Sequence, residues 1–156
     1  MKKIFFLLIF FLYSSSAEII EVKKTNHSSS QSYRDDSLMI VVDNKTKLMW
    51  QDDIAAKETI KDWYGAKDYC KTLRLGKFSD WRLPTRMELF SITDDKKSFP
   101  AIKDNFKNYQ SGTYVTYTSC SNDSYKVWNI YFDYGHGDCE YAKTDNSYVR
   151  CVRDFK

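Results

Sequence analysis

The spacing of apolar positions changes three times along the chain, and each period predicts a different element. Residues 37–42 and 47–51 are short apolar runs separated by Asp43-Asn44-Lys45-Thr46, which are turn formers, so they predict a β-hairpin. Trp63, Ala66, Cys70 and Leu73 then recur at spacings of three, four and three, which predicts a helix over about 59–74 with Gly76 as its stop. Lys61, Lys67, Asp68 and Lys71 fall on its solvated side, and Cys70 faces the core. Pro84-Thr85-Arg86-Met87-Glu88 opens a second helix. Thr85 with Glu88 three residues on is a capping box, which makes Glu88 a helix cap rather than a catalytic carboxylate.

Residues 94–112 form a long polar connection holding Phe99, Ile102 and Phe106, with room for one helical turn. Long connections in compact domains are often functional. Beyond it, residues 113–119, 125–132, 140–143 and 147–153 are rich in Tyr, Val, Thr and Trp, and turn formers lie between them. They predict antiparallel strands. In the second of these, Trp128, Ile130 and Phe132 share one face and are the expected core side. In the last, Val149 and Cys151 compete with Tyr148 and Val152. Helices and strands that do not alternate argue for an α+β domain.

The N-terminus has a different character. Lys2 and Lys3 precede nine apolar residues, 4–12, and then Ser14-Ser15-Ser16-Ala17. This is the layout of a cleavable signal peptide, residues 1–17, with an apolar run too short to span a bilayer. Residues 18–36 are polar and rich in Ser and Lys, and are expected to form a tether to a domain over 37–156. No later segment is apolar for long enough to be transmembrane, so the expected compartment is the periplasm, the cell surface or the medium.

Removing residues 1–17 takes away two lysines and no acid, so the net charge falls from +3 to +1. That disfavours nucleic acid as a partner, since such binding needs a concentrated positive field. Four cysteines, Cys70, Cys120, Cys139 and Cys151, all follow the signal. An even count in an oxidising compartment implies disulfides, and three pairings are possible. No C-x₂-C pair exists, and the two histidines, His27 and His136, are isolated, so no metal site and no cofactor are expected. Asp52-Asp53 and Asp94-Asp95 are adjacent pairs that point in different directions and form no acid/base pair.

Four stretches together resemble the Lcl C-terminal domain family. They are residues 46–51 (Thr-Lys-Leu-Met-Trp-Gln), the helix end from Ala66 to Gly76, residues 79–89 with Asp80-Trp81-Arg82-Leu83-Pro84-Thr85, and the terminal Tyr148-Val149-Arg150-Cys151-Val152-Arg153. The resemblance covers about residues 37–153 and implies a C-type-lectin-like fold. It also implies the pairs Cys70–Cys151 and Cys120–Cys139, which the chain-entropy model values at roughly 4–5 and 3 kcal/mol. It gives Trp81, Arg82, Arg150 and Arg153 structural roles. Departures are present: Val115 stands where many relatives carry Trp, and no Gly-X-Y repeat precedes the domain. The acidic-Pro-Asn triplet is missing and Trp128-Asn129 is followed by Ile130, so no lectin-type calcium site is expected.

The expected function is an exported, non-catalytic binding or adhesion module for a glycan or an envelope or host protein. An envelope assembly component is the alternative. Less favoured is an enzyme related to formylglycine-generating enzymes, which need free cysteines. Tyrosine suits sugar and protein surfaces. The candidate binding residues are therefore Lys103, Lys107 and Tyr109 in the long connection, Asp123 and Tyr125 in one turn, and Tyr134 and His136 in the next. Relatives that bind sulfated polysaccharide draw attention to Lys103 and Lys107, although the small net charge argues against strong electrostatic capture.

Overall fold

A computed structural model describes residues 31–155. The expected signal peptide and most of the expected tether lie outside the described residues. The expected hairpin is present as β2 (Ile40–Asp43) and β3 (Leu48–Gln51), with Ile40 opposite Gln51. Asp43 closes its turn, its carboxylate accepting from the Lys45 amide at 2.9 Å. The end of the stretch expected as tether is strand instead: β1 (Tyr33–Asp35) pairs with β2. Asp35 Oδ1 accepts from the Ser37 and Leu38 amides, so this polar run forms a side-chain-closed turn that returns the chain into the sheet.

The helix expected over 59–74 is shorter and has a strand before it. α1 (Ala55–Glu58) and β4 (Ile60–Lys61) precede α2 (Trp63–Thr72). The reason is Asp62, whose side chain accepts from the Gly65 amide at 2.7 Å and so starts the helix one residue later. Trp63, Ala66 and Cys70 are buried as their spacing predicts, and Leu73 is the C-cap residue. α3 (Arg86–Phe90) carries the full capping box of Thr85 and Glu88. The long connection contains no helix among its residues. It is held instead by Ala101, whose amide donates to the Phe132 carbonyl at 2.6 Å, and by buried Ile102 and Phe106.

The last third departs from expectation in three ways. β5 (Thr113–Ser119) and β6 (Lys126–Tyr131) fall where predicted, but β7 (His136–Ala142) starts well before residue 140. The expected final strand is two: β8 (Ser147–Tyr148) and β9 (Val152–Asp154), which belong to different sheets. The sheet orders are β1-β2-β3-β9 and β4-β8-β5-β6-β7, and the β5–β8 pair is parallel where an antiparallel meander was expected. Residues 149–151 pass between the sheets, and all three side chains are fully buried, so neither alternating face of that stretch is solvent-facing.

β6 also breaks its alternation. Register shifts interrupt its pairing with both neighbours, between Val115 and Ser119 on one side and at Val127–Asn129 on the other. Val127 and Asn129 are therefore buried along with Ile130 and Phe132, and Trp128 is only half-buried rather than core. The strands are apolar on both faces because each face has its own cluster. One gathers Ile40, Val42, Ala66, Cys70, Val115 and Val149 under α2. The other gathers Val41, Trp50, Leu89, Ile102, Tyr114 and Phe132 under α3 and the long connection. The disulfides are Cys70–Cys151 and Cys120–Cys139, the pairing the resemblance implies.

Candidate functional sites

The long connection is fastened at its base by a buried charge. Asp52 has no exposed surface. Its Oδ1 accepts from Arg150 Nη1 at 3.0 Å and the Asn108 amide at 3.1 Å, and its Oδ2 from the Lys107 amide at 2.9 Å. Arg34 also ion-pairs with it. Arg150 donates onward to the Gln51 carbonyl at 2.6 Å and to the Asn108 carbonyl. Neighbouring Asp53 is turned elsewhere, accepting from Gln51 Nε2 and the Ala56 amide. Arg82 binds Glu88 through two bonds of 2.8 and 2.7 Å and also reaches Asp154, and Arg153 binds Asp80. These three charged clusters are structural fastenings.

The seven candidate binding residues do not converge. Lys107 Nζ is held by Asp36 at 2.8 Å. Lys103 and Tyr109 come together, lining a cavity of about 140 Å³ with Lys97 and Pro100. Asp123 closes its turn by accepting from the Tyr125 amide at 2.9 Å, and Tyr125 projects 81% exposed with no ring contact among the described residues. Tyr134 and His136 do come together, at the tip of the β6–β7 hairpin.

That tip is a run of neighbouring rings. Phe99 and Tyr134 meet edge to face at 4.7 Å. Tyr134 lies 6.3 Å from His136, which stacks on Tyr131 at 4.5 Å with only 5° between the planes. Tyr131 in turn meets Tyr141 at 6.2 Å. Two glycines make the arrangement possible. Gly135 turns with φ +72°, and a Cβ there would come within 3.1 Å of Ala101, so the long connection packs directly on the hairpin tip. A Cβ on Gly137 would lie 2.6 Å from Ile130 Cδ1. The Phe99 amide donates to the Asp133 carbonyl at 2.7 Å, which sets its ring beside Tyr134.

A second surface lies across the molecule, between α2 and β5, where no binding residue was expected. A groove of about 530 Å³ is lined by Lys67, Asp68, Lys71, Trp81, Arg82, Leu83, Thr85 and Tyr117. Lys67 Nζ sits 4.2 Å from the centre of the Trp63 ring and 5.6 Å from that of Tyr117, and Lys143 Nζ is 4.4 Å from Trp63. Lys67, Lys71 and Lys143 have no carboxylate partner among the described residues. One sequence signal was available: Trp63, Lys67 and Lys71 are four apart and share a helix face.

Fold and surfaces together define a small disulfide-bonded α+β domain of two sheets, whose charged interior groups are spent on fastening loops. The chain belongs to the Lcl C-terminal domain family, which matches residues 39–153. No curated protein matches it. Among the described residues no helix is long and apolar enough to cross a membrane.

Proposed function

We propose that this chain is an exported binding module of C-type-lectin-like kinship that holds an acidic glycan chain in the α2–β5 groove, without catalysis and without a lectin-type calcium site. The observation that carries the reading is that Lys67 and Lys71 line the groove with Tyr117 and neither is ion-paired among the described residues, Asp68 in the same lining included, while Lys143 joins Lys67 over the Trp63 ring at its edge. An ammonium without a partner favours an anionic group, and aromatic rings favour the apolar face of a sugar. The groove volume falls in the range of ligand sites, roughly 300–1,000 Å³. Local charge replaces the strong net charge that the whole chain lacks.

Two disulfides agree with an oxidising compartment. All four cysteines are in those disulfides, which leaves no thiol for formylglycine-type chemistry. A protein ligand is the second reading, favoured by Met87 and Phe90, exposed at 66% and 45% on α3. The test is binding of heparin and of uncharged dextran at low and high salt. Heparin is expected to bind at low salt, to weaken as salt rises, and to be lost in Lys67→Glu/Lys71→Glu. Equal heparin binding by that variant would overturn the groove assignment.

A further inference from the structure

The hairpin tip is a different kind of surface, and its chemistry points to a different ligand. Elsewhere in the fold a cation lies over the ring: Lys67 over Trp63, Arg86 over Trp128, Arg153 over Phe78. Among the described residues no lysine or arginine covers Phe99, Tyr131, Tyr134 or Tyr141. The charges beside these rings are acidic. Asp133 and Asp138 flank the tip, and the Tyr131 hydroxyl donates to Asp138 Oδ2 at 2.8 Å. Asp138 Oδ1 and Asp133 Oδ1 are sheltered and have no hydrogen-bond donor among the described residues.

We infer that the β6–β7 tip is a second binding site, a platform for a neutral, hydroxyl-rich glycan, separate from the groove. A polyanion gains little here, because among the described residues no cation lies over the rings, nearby Lys97 is held by Asp104, and two carboxylates flank the tip. A free cation finds no cage, since Tyr131 and His136 are stacked in contact with no slot between them. A protein partner needs more area. Rings of this kind offer about 150–250 Å² each, so a partly exposed run supplies on the order of 400 Å². A standard protein interface takes about 800 Å² from each side.

A neutral sugar fits what remains. Its apolar face lies on a ring, and its rim of hydroxyls meets the tyrosine hydroxyls and the imidazole nitrogens. Phe99 and Tyr134, edge to face at 4.7 Å, offer the open ring surface, and the stacked Tyr131–His136 pair lies beside them with the polar atoms of its rings. Phe99 is displayed by a backbone with φ +48°, a conformation that a bulky residue adopts only when its surroundings enforce it. Phe99 and Tyr134 are each 61% exposed, so neither ring is spent on the core.

The experiment is titration calorimetry of the intact, disulfide-bonded protein with neutral oligosaccharides of glucose, mannose, galactose and N-acetylglucosamine. At least one is expected to bind, with equal affinity at low and high salt. Tyr134→Ala and Phe99→Ala are each expected to weaken it by on the order of tenfold, the loss of one ring contact. His136 ring proton signals are expected to shift on titration of the wild type. Lys67→Glu/Lys71→Glu is expected to bind the neutral sugar unchanged, which keeps the two sites' outcomes apart. Circular dichroism checks that the two ring variants, both at exposed positions, remain folded. The inference is overturned if none of the sugars binds, if Tyr134→Ala binds as well as wild type, or if heparin displaces the neutral sugar.

Discussion

The α2–β5 groove and the β6–β7 tip are both aromatic, yet they differ in every charge that surrounds their rings. At the groove, Lys67 sits over Trp63 and Tyr117 and Lys143 over Trp63, and neither is ion-paired among the described residues. At the tip, carboxylates flank the rings, and among the described residues no lysine or arginine lies over them. They also differ in support. The groove rests on a helix bonded through Cys70 to the crossing segment at Cys151. The tip rests on a loop pressed against Gly135 and fastened at its base by Asp52. The richness of a strand in tyrosine therefore says little about a ligand until the charges next to each ring are known.

The largest test of that contrast removes a support. Cys70→Ala/Cys151→Ala is expected to cost about 4–5 kcal/mol, from a pair 81 residues apart. Chemical denaturation measures the loss, and heparin and neutral-sugar titrations on what remains folded ask whether the groove fails before the tip. Simultaneous failure would mean that the two surfaces form one unit. Next in size is Arg150→Ala, which leaves Asp52 buried without its main cation and is expected to cost about 3–5 kcal/mol. Faster hydrogen exchange at the Lys107 and Asn108 amides, with protection unchanged in α2, would place that loss in the loop beneath the tip.

A smaller effect is expected from Lys67→Glu/Lys71→Glu, which should weaken heparin by about tenfold or more and leave neutral sugar alone. Smallest is the response to acid. Burial pushes the Glu88 carboxyl up, but the Arg82 guanidinium and the Thr85 amide outweigh it and hold the group below its ordinary value of 4.5. A lowered folded-state value means that the contribution is whole above 4.5 and fades as pH falls through that lowered value. Glu88→Gln should cost about 1 kcal/mol at neutral pH and flatten the acid limb of stability against pH. Part of the slope should remain, since Arg153 holds Asp80 low in the same way.

Local signals were legible wherever one residue's chemistry decides the structure. The capping box of Thr85 and Glu88, the core face of Trp63, Ala66 and Cys70, and the first hairpin are all of this kind. What could not be read were decisions made by distant partners. Asp62 starts α2 late because Ile60 and Lys61 pair with a strand almost ninety residues further on. Trp128 leaves the expected core face because bulges on both sides of β6 interrupt its alternation. Of the candidate residues, Tyr134 and His136 are legible from turn chemistry, but Phe99, the neighbour of Tyr134, comes from the long connection. Lys107 looked free because nothing in sequence ties it to Asp36, which had been assigned to the tether.

The crossing at residues 149–151 has a consequence for the order in which this chain can become itself. β8 closes one sheet, β9 closes the other, and Arg150 and Cys151 between them are the partners awaited by Asp52 and Cys70. Until this stretch is in place, each sheet lacks a strand and the deepest carboxylate lacks its main cation. The pairings that β8 and β9 make join residues far apart in sequence, which slows folding. Neither sheet is thus complete, nor the deepest ion pair formed, before residues 147–154 take their places.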